Sequence, residues 1–229
     1  EQLVGQLGDA RLGGSYFTFS DENNYQIWGF LKECHKHGWV YRGGDVIPWC
    51  PRCATGISQH EMEVDGYKDV PDPAFTVRMK LITADVTAAR WESDEARAAW
   101  NASKARYALA WTTTPWTLPA NVMCAVGPKL DYAIVRQGDA CYVLGARTLK
   151  LMQGEYERLG AIAGAGMDGW TYEGLYDELP AWKDAECEWA VRTGKQHFAH
   201  HIILWDDVGE EEGSGIVHNA PGCGPEDYK

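Results

Sequence analysis

Three consecutive threonines, Thr112, Thr113 and Thr114, precede Pro115 in the segment WTTTPWTLPAN, residues 111–121. On a strand, Thr112 and Thr114 point to one face and Thr113 to the other. Pro115 cannot donate to a ladder, so the strand must end or open there. Hydroxyls then stand beside unpaired backbone N–H and C=O groups, a setting able to hold a small polar ligand without any charge of its own. A Thr-rich edge strand followed by a proline turn fits the same residues. A second segment, GSGIVHNAPGCGPEDY over 213–228, delivers His218 from a short apolar strand into a Gly/Pro-bent loop that returns Asp227 nine residues later. Both side chains could face one pocket. Equally, His218 fits a satisfied core or edge histidine, and Asp227 a first-turn helix carboxylate favoured by the macrodipole.

Cys50-Pro51-Arg52-Cys53 has the spacing of half a zinc site, two ligands where a tetrahedral structural site needs four. Cys34, His35, His37 and His60 are the nearby substitutes, and no second CxxC precedes Lys229. The expectation is a half site that zinc fills only with ligands from outside this sequence. Seven cysteines, an odd number with only this one close pair, argue against a disulfide scaffold and for a reducing, cytoplasmic setting.

Positioning these residues falls to a strand-rich body. Phe75, Val77, Met79 and Leu81 alternate with Thr76, Arg78 and Lys80, which predicts a half-buried strand. Further strands are expected over 106–114, 121–126, 131–137, 140–144, 187–192, 197–205 and 214–218, joined by turns such as Gly127-Pro128 and Gly138-Asp139. Ile27, Phe30, Leu31 and Cys34 share one face of a helix over 24–37 that Gly38 ends. After it come short extended pieces over 39–42 and 45–49, broken by Gly43-Gly44. Residues 85–103 read as an exposed inserted helix, and Leu149, Met152, Tyr156 and Leu159 as an amphipathic one, followed by a Gly-rich stretch over 160–169. The prediction is an α+β, strand-dominated chain: a stalk with helix and knuckle over 1–70, then a body over 71–229.

The 229 residues are 45% hydrophobic, enough for one sizeable core. Lys and Arg total 21 against 33 Asp and Glu, a formal charge of -12, the wrong sign for gripping nucleic acid over the whole surface. Any such contact is local or assisted. No run of eighteen apolar residues exists and mean hydropathy is -0.38, so no spanning helix and no membrane partner are expected. The chain opens on Glu1 with neither a basic stretch nor an apolar block, and reads as a piece of something longer.

Taken together, WTTTPWTLPAN and GSGIVHNAPGCGPEDY resemble the editing insertion, connective polypeptide 1, of isoleucyl-tRNA synthetases. GWVYRGGDVIPWCPRC and GYKDVPDPAFTVRMKL are similar to its stalk and first strands, while 85–105 and 160–200 resemble it weakly. Valyl and leucyl relatives carry an Arg and an acidic residue in the Thr-rich element, where this chain has Thr114, Pro115 and Trp116. The resemblance implies a barrel-like editing domain that hydrolyses the ester joining valine to the terminal adenosine of isoleucine tRNA. One methylene in a binding pocket is worth only about 1–3 kcal/mol, a range that the isoleucine–valine pair itself exemplifies, so a second sieve is needed.

By this resemblance Asp227 binds the substrate α-ammonium and His218 limits side-chain size. Thr112, Thr113 and Thr114 contact the aminoacyl-adenosine, and Trp111, Trp116 and Asn121 line the same cavity. Water is the expected attacking group, with no covalent nucleophile. Relatives carry an aromatic residue where Cys223 stands, which implies a wider loop or pocket here. No cofactor is implied for editing; ATP and Mg belong to the parent enzyme's synthetic core. The implied partners are the 3′ end of the tRNA and the rest of the synthetase, with this piece monomeric. Two rivals are an editing domain of a valyl or leucyl enzyme and a non-catalytic zinc-knuckle binding module.

Overall fold

The computed structural model describes residues 18–44, 46–65, 71, 73–184, 194, 198–211 and 213–228. It divides into two compact units, 1–45 and 46–229. Within the first unit, helix α1 spans Asp21–Lys36. Ser20 caps it by accepting from the Asn23 backbone N–H, with Asp21 and Glu22 in the first turn and His35 and Lys36 in the last, as the macrodipole favours. Gly38, at φ +72°, ends it. The predicted apolar face is real, but within the unit Ile27, Phe30 and Leu31 remain exposed and only Cys34 is buried.

The second unit opens with a two-residue ribbon, β1 (Trp49–Cys50) against β2 (Thr55–Gly56), and a short helix α2 (Gln59–Asp65). The body then contains β3 (Phe75–Thr83), β4 (Arg90–Trp91), helix α3 (Asp94–Ala102), β5 (Ala105–Thr112), β6 (Met123–Val126), β7 (Asp131–Gln137) and β8 (Ala140–Gly145). Beyond these lie β9 (Glu157–Ala163), β10 (Thr171–Tyr172), β11 (His200–Leu204), β12 (Ile216–Asn219) and a one-turn helix α4 (Pro225–Tyr228). The order β12-β6-β11-β10-β3-β5, with β12 pairing back onto β5, closes a six-stranded barrel. The remaining strands β8, β7, β9 and β4 extend from β5 as a sheet. The expected strand-dominated α+β fold is therefore what forms.

β5 is the branch of the architecture. Residues 105–108 run parallel to β8, while Trp111, further along the strand, pairs with Val217 of β12. The strand β7 shows why its sequence is continuously apolar: Tyr132 and Ile134 enter the main core, whereas Ala133 and Val135 pack with Leu109 and Leu144 on the opposite face. Tyr132 is fully buried, and its hydroxyl accepts from the Gly127 N–H and donates to the Gly215 carbonyl, 2.8 and 2.7 Å away. Tyr132→Phe strands both backbone groups in the core. We expect it to lower unfolding free energy by about 3 kcal/mol, read as a reduced urea midpoint at unchanged slope.

Two expected helices are corrected. Leu149–Leu159 is a 3-10 turn over Leu149–Leu151 and then the start of β9, because Gly154 at φ +79° breaks the chain and pairing along β7 claims the residues from Glu157 onward. Leu159 and Ile162 belong to the core. Over 85–103 only Asp94–Ala102 is helical, and it is not a solvated appendage: Trp100 and Ala96 are buried, and Arg106 donates to the Trp100 carbonyl and lies over its ring. The Gly-rich stretch is likewise structured, as the end of β9 and the 3-10 turn Gly164–Met167. The expected strand over 187–192 lies outside the described residues. No helix among the described residues is long and apolar enough to cross a membrane.

Candidate functional site

Barrel closure builds the site. β12 lies antiparallel to β6, with His218 opposite Cys124 and Asn219 opposite Met123, and parallel to β5, with Val217 opposite Trp111. This register brings the end of β12 against the end of β5, where the three threonines begin. Gly213 makes the approach possible: a Cβ there would meet the Trp111 indole at 2.8 Å, and its φ of +74° suits glycine.

β5 stops at Thr112, and Pro115 begins a 3-10 helix, Pro115–Ala120. The turn is closed internally. Thr112 Oγ1 accepts from the Thr114 N–H at 3.0 Å and lies 3.3 Å from the Thr114 hydroxyl, so these two share a face as the alternation requires. The Thr117 N–H and hydroxyl both donate to the Thr114 carbonyl, at 3.1 and 2.8 Å. Thr117 Oγ1 also lies 3.0 Å from His218 Nε2, across 101 positions of sequence. The hydroxyl has one proton, already given to Thr114, so the oxygen accepts from the Nε2–H of His218. A neutral ring then keeps its lone pair on Nδ1, which is buried with no hydrogen-bond partner among the described residues. Burial pushes the His218 pKa below the ordinary histidine value, opposed in part by the Asp227 carboxylate. Burial thus favours the neutral ring.

Asp227 lies in α4, beyond the turn in which the Cys223 N–H donates to Ala220 O. One carboxylate oxygen accepts from Asn219 Nδ2 at 2.9 Å, the other from the Ala220 N–H at 3.1 Å. A cavity of about 300 Å³ is lined by Trp111, Thr112, Thr113, Thr114, Thr117 and His218, and on its far side by Cys223, Gly224 and Asp227. These residues supply hydroxyls, backbone groups, a neutral imidazole and one carboxylate, with no Lys or Arg among them. Such a set suits a ligand with a cationic end and a small apolar end. A larger hollow of about 750 Å³ adjoins it across Trp111 and Val217, with Glu210, Glu211, Asp207 and Arg147 at its polar margin. It lacks the threonines, the histidine and Asp227.

Six of the eight side chains named from sequence meet here; two do not. Trp116 is 72% exposed and Asn121 only 2%, and neither lines the cavity. The tight 3-10 turn points residue 116 outward and returns residue 117 inward. Asn121 caps that turn, its Oδ1 accepting from the Tyr172 hydroxyl at 2.7 Å and its Nδ2 donating to Met123 O at 2.9 Å, a core-satisfying role. Thr117 was the residue missed. Its signal was present, since a proline opening a helical turn at 115 places residue 117 over Thr114.

In the β1–β2 ribbon the Cys53 N–H donates to Cys50 Sγ at 3.4 Å and draws the Cys50 thiol pKa below its ordinary value. No group of three or more metal-ligating side chains occurs among the described residues, so Cys50 and Cys53 alone do not fit a tetrahedral zinc site.

The isoleucine–tRNA ligase of Treponema denticola is 37% identical over 239 aligned residues, covering 100% of this chain and 21% of the ligase. That of Thermoplasma volcanium is 33% identical, covering 100% of this chain and 19% of the ligase. The chain thus spans about a fifth of the length of these curated relatives. The solved editing domain of the P. falciparum cytosolic leucyl-tRNA synthetase superposes with a TM-score of 0.48 at 12% identity, over 69% of this chain and 64% of that one. A family model described as tRNA synthetases class I (I, L, M and V) matches residues 3–203, and the chain belongs to that family.

Proposed function

We propose that this chain is the editing domain of an isoleucine–tRNA ligase and hydrolyses valyl-tRNA(Ile) after mischarging. The observation that carries this reading is the shared cavity, in which the hydroxyl-bearing end of β5 faces His218 and Asp227. Asp227, its two oxygens already oriented, binds the α-ammonium of the substrate and so fixes the ester relative to the strand end. His218, buried, neutral and braced by Thr117, walls the side-chain space against a larger acyl group.

Thr112, Thr113 and Thr114 hold the terminal adenosine and attacking water through hydroxyl and backbone groups. The rate arises from orienting that water and stabilising the developing oxyanion, without a covalent intermediate. In atom terms, water adds to the ester carbonyl, the acyl–oxygen bond breaks, and the ribose hydroxyl leaves with a proton. The tRNA 3′ end and the remainder of the synthetase are the partners, in the cytoplasm. No cofactor takes part in the hydrolysis; ATP and Mg serve only amino-acid activation in the synthetic core.

The test is deacylation by the full-length protein of tRNA(Ile) charged with valine or isoleucine. Rapid release of valine with isoleucine retained is expected. Valine release at the spontaneous rate overturns the reading.

A further inference from the structure

We infer that Asn219 is the positioning residue that aims the Asp227 carboxylate at the substrate ammonium, an inference that rests on the proposed editing function. Asp227 sits on a single helical turn at the end of a Gly/Pro-rich loop, which by itself holds a side chain loosely. Asn219, by contrast, is built into the barrel. It is the last residue of β12, paired with Met123, and its carbonyl accepts from the Val122 N–H at 2.9 Å. From that fixed backbone its Nδ2 reaches Asp227 Oδ1 at 2.9 Å, and the Ala220 N–H takes the other oxygen at 3.1 Å. The last residue of β12 and the one that follows it thus grip both carboxylate oxygens. Among the described residues these are the hydrogen bonds made by Asp227.

Among the described residues, the other polar atom of the Asn219 side chain bonds to nothing. Asn219 is 5% exposed, and this oxygen, Oδ1, is buried. Reversing the amide would set Oδ1 against the carboxylate, so the orientation is fixed by Asp227. A buried amide with one half orphaned is a poor choice for stability, because the unpaired oxygen has lost its water without a replacement. Its contribution lies in the single bond to Asp227. That bond leaves each carboxylate oxygen a lone pair in a defined direction for the incoming N–H donors.

The experiment compares two esters of the same tRNA in the full-length protein: valyl, and the deaminated analogue bearing an α-hydroxyl in place of the α-ammonium. The readout is the ratio of their single-turnover hydrolysis rates, which isolates recognition of the ammonium. Asp227→Ala is expected to collapse the ratio toward one. Asn219→Leu is expected to lower it by about tenfold, the scale of losing one charge-assisted hydrogen bond. Asn219→Ser, whose hydroxyl falls short of Asp227, should do the same and stands in if the leucine variant folds poorly. If Asp227→Ala collapses the ratio while both Asn219 variants keep it, or slow both esters alike, Asn219 is structural and this inference is overturned. If Asp227→Ala leaves the ratio intact, the ammonium-binding role of Asp227 falls, and that of Asn219 with it.

Discussion

Asp227→Ala is expected to slow hydrolysis of valyl-tRNA(Ile) about a hundredfold or more in single-turnover deacylation. Among the described residues the carboxylate is the sole acid lining the cavity, and it is half-buried there, so its attraction for an ammonium is screened less than a surface pair would be. Truncating one member of a partly desolvated, hydrogen-bonded charge pair costs about 2–5 kcal/mol, and about 2.7 kcal/mol already corresponds to a hundredfold. Asp227→Asn preserves shape while removing the charge, and should lose nearly as much. Asp227→Ala also leaves the buried Asn219 Nδ2 and Ala220 N–H without their acceptor and should lower the unfolding midpoint, so both rates are compared on folded protein, with Asp227→Asn as the milder change. A variant that deacylates at the native rate would remove Asp227 from the site.

The second large effect is a gain. On the proposed function, His218→Ala should open the side-chain end of the cavity and confer hydrolysis of the cognate isoleucyl ester. The imidazole occupies its place firmly: it is 7% exposed, held through Nε2 by Thr117 and carried on a strand paired on both edges. A side chain so held is suited to the proposed role of limiting acyl size. Removing it should raise isoleucyl-tRNA hydrolysis by about ten- to two-hundredfold, the span that one methylene commands in a binding pocket. Valyl-ester hydrolysis should fall far less than in Asp227→Ala. Unchanged discrimination in deacylation with both esters would show that the size limit lies elsewhere.

What could be read from the sequence was whatever local chemistry decides. The alternation from Phe75 to Leu81 became β3, and Pro115 ended β5 at the threonines, because backbone hydrogen bonding left no alternative. The His218–Asp227 loop was legible through residue types and spacing, and its meeting with the threonines through family resemblance. The failures occurred where distant pairing prevailed over local periodicity. Leu149, Met152, Tyr156 and Leu159 satisfy a helical repeat, yet β7 offered residues 157–163 a ladder and a core, and a break at Gly154 made that available. The misplacement of Trp116 and Asn121 has a different cause: a 3-10 turn has three residues per turn, so extending a strand or an α-helix through Pro115 assigns the wrong faces. Asn219 escaped notice because its role exists only through Asp227, eight positions away in a bent loop.

The seam between Trp111 and Val217 has a consequence for how hydrolytic capacity is acquired. The residues on its two sides come from distant parts of the chain, so no nascent fragment ending before β12 contains the hollow at all. Once formed, the hollow is only as durable as that seam: a local opening that frees β12 withdraws His218 and Asn219 together, while the sheet β8-β7-β9 keeps its own pairing to β5. The proposed hydrolysis therefore depends on β12 keeping both of its pairings, whatever becomes of the outer sheet.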